Sequence, residues 1–254
     1  MQSKYTVGVQ SVVYAERSLD DLLVELNETG IDHLELWGRH LDHAADEATV
    51  AAAEDALAAH GVTVCGHGVV DLDDTGQARP HVAFADRLGA DYVTVNYPPD
   101  RDDITEELLE LADSFAIDVG IHNYSSVHHD DLSTVFSSIA DVRGVLDRYE
   151  HPRLGTCMDT GHFLVESVAP DNVIRELGDR INSVHLKDTS AAQEEDIPGA
   201  GQLDLPHLLT LLDTHTDVDA PLVIEYELPD DRATEALQAA ERNVRAALAE
   251  SGGD

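Results

Sequence analysis

The sequence is poor in several residues whose absence narrows the reading. It has two cysteines, one tryptophan and two methionines, and lysine occurs only at Lys4 and Lys187. Cys65 and Cys157 fall in separate apolar stretches, not in a CxxC spacing, so a disulfide framework is excluded and reduced, buried thiols are expected. No run of about 18 apolar residues occurs, so no membrane helix is expected. The opening MQSKYTVGVQ lacks the basic region and apolar stretch of a secretory signal, which makes a cytoplasmic location the expectation. Neither GxGxxG nor GxxxxGK[ST] is present, and a doubly wound nucleotide-binding sheet loses its main support.

Positive charge is the largest deficit. Lys and Arg total 15 against 51 Asp and Glu, a formal net charge of -36. A nucleic-acid backbone needs a basic track, and although net charge alone does not decide the matter in a salt-rich cytoplasm, 15 basic residues diluted among 51 acids leave no nucleic acid expected as a partner. The lack of an apolar span leaves no membrane expected either. Such an acidic chain is either disordered or the folded product of a salt-rich cytoplasm. With 43% hydrophobic residues in regular patterns, the second, halophilic reading prevails. Most acidic residues then form a solvated skin, and a carboxylate counts as chemistry only where it ends a strand.

What is present is an alternation. Short runs rich in Val, Ile and Leu recur, each followed by a longer Ala/Leu/Glu/Asp stretch of helical spacing. Eight strands are predicted at 5–11, 33–37, 62–67, 91–96, 118–123, 153–158, 181–186 and 221–226. Helices are predicted at 19–29, 46–60, 77–88, 105–116, 132–148, 171–178, 205–215 and 232–250. Gly30, Gly61 and Gly89 stand where helices should end in a left-handed residue. Eight β-then-α units in 254 residues predict one domain over 1–254, an α/β fold of the single (β/α)8 TIM barrel type, with no exposed sheet edge.

Strands buried on both faces should be apolar, so polar residues at their ends are informative. Here they are Gln10, Glu35, His67, Asn96, His122, Asp159, His185 and Glu225. In a barrel these ends converge on one mouth, where active sites of this fold are built. The last four, in GIHNY, MDTGH, SVHLKD and VIEYE, form two imidazoles and two carboxylates suited to one divalent ion such as Mn, Co, Mg or Zn. Four buried ionisable groups without an ion would each carry a desolvation cost. Trp37 after strand two reads as an apolar wall for a ligand or as core. Gly199 and Gly201 in PGAGQ read as a lid loop or as a turn into an Asp204 N-cap. His43, His60, His81, His128, His129, His151, His207 and His215 are expected to face solvent.

DTGH after strand six, HLKD at strand seven, PGAGQLDL in the next loop and IEYE at strand eight resemble the xylose isomerase-like barrel superfamily, over nearly the whole chain. The group of sugar phosphate isomerases and epimerases, and inosose dehydratase, carry the nearest motifs. The resemblance implies metal ligands at Asp159, His185 and Glu225, a substrate-binding histidine at His162, and roles of varying kind for Lys187 and Asp188. Epimerases of the superfamily usually hold a glutamate where His122 stands. A coordinated imidazole has no free lone pair with which to shuttle a proton, so the paired-glutamate mechanism is not carried over.

The expected function is a divalent-metal-dependent isomerase or epimerase acting on a small keto-sugar or cyclitol through an enediolate. Glu225 is the first choice of base, with Glu227 or Glu35 as substitutes, while His162 and Lys187 hold or protonate oxygens. His67, Asn96, Trp37, Glu35, Glu227 and Asp188 are the expected substrate-binding set. The alternative is a dehydratase of the inosose type. An apurinic-site nuclease and a non-catalytic sugar-binding barrel are minor alternatives, and a homo-oligomer is compatible with all of these.

Overall fold

The computed structural model describes residues 4–190 and 194–251. The chain runs β1 (Val7–Gln10), α1 (Leu19–Leu26), β2 (His33–Leu36), α2 (Glu47–His60), β3 (Thr63–Asp71), α3 (Thr75–Arg87), β4 (Tyr92–Asn96) and α4 (Asp102–Phe115). It continues with β5 (Asp118–His122), α5 (Ile139–Arg148), β6 (Leu154–Asp159), α6 (Thr160–Val165), α7 (Pro170–Leu177) and β7 (Ile181–Leu186). A hairpin of β8 (Asp188–Thr189) and β9 (Glu195–Asp196) then precedes α8 (Leu205–His215), β10 (Leu222–Ile224) and α9 (Ala233–Ser251). Eight strands close into a parallel barrel in the order β1, β10, β7, β6, β5, β4, β3, β2. This is the expected (β/α)8 barrel, and β10 is its eighth strand.

Local chemistry sets the boundaries. Side chains of Ser18, Asp46, Asp74 and Ser138 accept the orphan N–H groups at the starts of α1, α2, α3 and α5. Gly61 closes α2 at φ 69° and Gly89 follows α3 at φ 74°, a conformation in which a Cβ would be strained. Gly30 differs from expectation: its φ is not positive, and its N–H donates to Glu241 Oε2 at 3.1 Å. The predicted helix at 132–148 shortens to α5, because Ser138 with Asp141 forms a capping box that begins the helix there. The short α6 was not expected.

Strand side chains and the inner helix faces form one apolar core that includes Val9, Leu34, Val93, Ile121, Val184 and Ile224. Cys65 and Cys157 are free and buried within the barrel strands. No helix among the described residues is long and apolar enough to cross a membrane.

Candidate active site

The C-terminal ends of β5, β6 and β7, and the residue following β10, bring His122, Asp159, His185 and Glu225 together. One nitrogen or carboxylate oxygen from each lies within 4.8 Å of the others. All four side chains are at least nine-tenths buried. Within this group His122 Nδ1 and Nε2, Asp159 Oδ2, His185 Nδ1 and Glu225 Oε2 have no hydrogen-bond partner. Buried polar atoms are ordinarily paired, so convergent lone-pair atoms of mixed nitrogen and oxygen type fit a divalent cation.

Each of three ligand atoms is aimed by its neighbours. Asp159 Oδ1 accepts the His162 N–H at 2.7 Å as the N-cap of α6, which leaves Oδ2 for the cluster. Asn123 brackets the same residue, accepting from the Asp159 N–H at 2.9 Å and donating to its carbonyl at 3.0 Å. His185 Nε2 lies 2.9 Å from Glu35 Oε2 and donates there, which turns Nδ1 to Glu225 Oε2 at 2.5 Å; in the metal-free protein a proton lies between these two atoms, in the place a cation would take. Glu225 Oε1 lies 3.4 Å from Lys187 Nζ.

Electrostatics separates the groups. Burial opposes charge on Asp159, but the neighbouring His162, His122 and Lys187 hold its carboxyl at about 2. Burial likewise opposes charge on Glu225, and the His185 and Lys187 charges outweigh it, holding Glu225 well below the carboxylate range. Burial would neutralise His185, yet Cys157, Glu35 and Glu225 keep its value well above that of a free imidazole. Lys187 also stays charged: the surrounding Glu225, Asp159, Glu195 and Glu227 overcome its burial and raise it. His162 goes the other way, lowered to about 3 by burial first and then by the Lys187 charge. It is a neutral imidazole with Nδ1 held 2.9 Å from Ser125 Oγ.

Beside the cluster lies a cavity of about 190 Å³, lined by Gln10, Trp37, Asp71, Tyr124, His162, Glu225 and Glu227, with His128 at its edge. Among the expected substrate-binding residues, Trp37 and Glu227 therefore face this space. Four others are engaged inside the protein. Glu35 is wholly buried and accepts from Tyr92 Oη at 2.8 Å and Thr94 Oγ1 at 2.7 Å as well as from His185. His67 is turned toward α3, with Nδ1 2.9 Å from the Leu36 carbonyl and Nε2 3.2 Å from His81. Asn96 donates to Asp71 Oδ1 at 2.9 Å. Asp188 accepts five backbone N–H groups, from Thr189, Gly199, Gly201, Gln202 and Leu203, at 2.8–3.0 Å. It organises the PGAGQ loop, which runs into the Asp204 cap of α8. A Cβ on Gly201 would come within 2.4 Å of the Thr189 carbonyl oxygen, so that turn needs glycine.

Asp71, Tyr124 and His128 line the cavity without having been expected there. The run VVD after Gly68 was the available signal for Asp71, since β3 continues past a register shift between His67 and Val70. A larger cleft of about 450 Å³ lies at the opposite end of the barrel, among strand starts such as Tyr92 and Asp118. It holds no imidazole, and its position is the end of this fold associated with stability.

A closed parallel barrel with a buried imidazole–carboxylate centre at its C-terminal mouth defines the class. The profile of the xylose isomerase-like TIM barrel family matches residues 23–246, and the chain belongs to that family. No curated protein matches it significantly. Solved structures do. A xylose isomerase domain protein from Alicyclobacillus acidocaldarius is 19% identical with TM-score 0.77, the match covering 98% of this chain and 99% of that one. The 3-keto-D-glucoside 4-epimerase YcjR from E. coli is 16% identical with TM-score 0.75, covering 95% and 99%. The probable 3-DHS dehydratase AsbF from Bacillus anthracis is 14% identical with TM-score 0.72, covering 94% and 98%.

Proposed function

We propose that the protein is a divalent-metal-dependent isomerase or epimerase of a small keto-sugar or cyclitol, working through an enediolate. The observation that carries this reading is the set of unpartnered ligand atoms on His122, Asp159, His185 and Glu225 beside a polar cavity. A bound cation would supply Lewis acidity toward a substrate carbonyl. The remaining chemistry falls to the chain. Lys187, held charged, stabilises negative charge developing on a substrate oxygen and is too weak an acid to give up its proton near neutrality. Neutral His162 offers Nε2 to a substrate hydroxyl, while Trp37 covers an apolar sugar face.

Glu225 is committed to the cluster and to Lys187, and its depressed value makes it a poor base. Glu35 is walled off behind His185. The proton transfer therefore passes to Glu227, which faces the cavity with its carboxylate 3.5 Å from Lys187 Nζ.

A dehydratase is the second reading. It is favoured by His122, which occupies a ligand position where the paired-carboxylate epimerases carry a proton-shuttling glutamate. The deciding experiment is metal analysis of protein purified in molar salt, then solvent-deuterium exchange on a panel of ketoses and inososes. Exchange without an unsaturated product supports the first reading and a new enone absorbance supports the second. Absence of metal retention together with absence of exchange would sink both.

A further inference from the structure

The geometry points to a second, peripheral cation site at Asp42, His43 and His81, of the class that takes Zn(II), Co(II), Ni(II) or Cu(II). One ligand atom from each of these residues lies within 4.8 Å of the others. Asp42 and His43 sit on the loop from β2 to α2, and His81 is in α3, so two separate segments meet there. Asp42 is positioned by the Ala44 N–H, which donates to its Oδ1 at 2.8 Å, and His43 Nδ1 lies 2.9 Å from the same oxygen. The rings of His43 and His81 are 4.4 Å apart between centroids. Two imidazoles with one carboxylate form a donor set that prefers borderline ions to Mg(II) or Ca(II).

A second observation, independent of that proximity, concerns the tautomer of His81. A carbonyl can only accept, so His67 Nδ1, 2.9 Å from the Leu36 carbonyl, carries a proton. His67 is fully buried with its ring nitrogens paired to the Leu36 carbonyl and to His81, so a second proton on Nε2 would place a cation in the interior with no carboxylate hydrogen-bonded to it among the described residues. Nε2 therefore accepts, and the His81 Nδ1 at 3.2 Å donates to it. Neutral His81 is left with its lone pair on Nε2. A histidine whose other ring N–H is held by an oriented acceptor is the usual arrangement behind a metal-ligating imidazole.

The site would staple the loop that begins at Trp37 to α3, and through His67 to β3, whose Val69 lines the cavity along with Trp37. It stiffens one wall of the mouth from outside and does not depend on which reaction takes place within.

The test is equilibrium dialysis of the full chain against Co(II), with excess Mg(II) to fill carboxylate-only sites, counting bound cobalt. Two equivalents are expected in the wild type, one in His185→Ala, one in His43→Ala or His81→Gln, and none in His185→Ala combined with His43→Ala. Two equivalents retained by both His43→Ala and His81→Gln would overturn the site, as would any wild-type count that neither substitution lowers. Should His185→Ala fail to fold, the fall from two to one in the His43 and His81 variants decides alone. A wrong reading of the reaction would show as absent proton exchange with the cobalt counts as expected, whereas a wrong second site leaves exchange intact and the cobalt count unmoved by the His43 and His81 substitutions.

Discussion

Glu35 Oε2 lies 2.9 Å from His185 Nε2 at a depth where both side chains are fully buried. The contact decides which nitrogen of His185 faces Asp159 and Glu225. Glu35→Gln keeps one acceptor oxygen but must satisfy Tyr92, Thr94 and His185 with it, so the imidazole loses its fixed orientation. The expected effect is a loss of roughly 10- to 100-fold in metal affinity, read by competition with a chromophoric chelator. Unchanged affinity would mean that His185 needs no such support.

In the metal-free protein His185 carries a proton, because despite burial the Cys157, Glu35 and Glu225 environment raises its value well above that of a free imidazole. That raised value stabilises the fold fully below the unfolded value, and the contribution is lost as pH rises through the folded one. A cation at Nδ1 displaces the same proton, so metal affinity should climb with pH. Addition of Co(II) to stripped protein in dilute buffer near neutrality should release protons, detected with an indicator dye. His185→Ala should release fewer, and equal release from both proteins would contradict the assignment.

His81 has the opposite sign. Burial, then the nearby His67 and His43, lower it from 6.5 to about 4. The unfolded chain therefore takes up a proton between those values while the folded one does not, and stability falls as pH drops through that window. In the presence of a chelator, His81→Gln should flatten the slope of unfolding free energy against pH between about 6.5 and 4, by at most one proton. Urea melts at a series of pH values measure this, and an unaltered slope would show that His81 titrates normally.

Asp188 gathers five backbone donors with one buried carboxylate. Asp188→Ala should cost about 3 kcal/mol or more, since buried N–H groups lose a charged acceptor. Limited proteolysis should then cut within 197–203. A variant with wild-type melting and no new cleavage would show the loop to be held by other means.

The acid excess supports one more proposal: the fold needs molar salt to screen its self-repulsion. Dialysis into low salt should abolish the far-ultraviolet circular dichroism of a folded barrel. A signal that stays intact would remove the halophilic reading.

The barrel was legible because strands such as DYVTVN and INSVHL are buried on both faces and need an apolar run whatever their neighbours. The quartet was legible for the same reason, as charge interrupting such runs. The direction of a strand-end side chain was not. His67 ends an apolar run as His122 does, yet His67 faces Phe84 and His81 on α3 while His122 faces the barrel mouth. A shift of one residue in a strand exchanges these two fates, and β3 carries a register shift just past His67 that no local pattern announces. The α6 helix was hidden because its six residues owe their turn to Asp159, a side chain read only as a ligand. A loop position such as that of His128 implies solvent, and only the tertiary fold brings its ring 4.9 Å from that of His162.

A Cβ added to Gly161 would come within 2.6 Å of Lys187 Cγ, and Thr160 Oγ1 donates to the Lys187 carbonyl at 2.6 Å while accepting its N–H at 3.0 Å. The two signatures DTGH and HLKD, some 25 positions apart in the text, are thus halves of a single lock. Drift at the glycine forces the lysine stem out of its channel and its charge away from the carboxylates around it. Descendants of this chain should keep both letters or surrender both together.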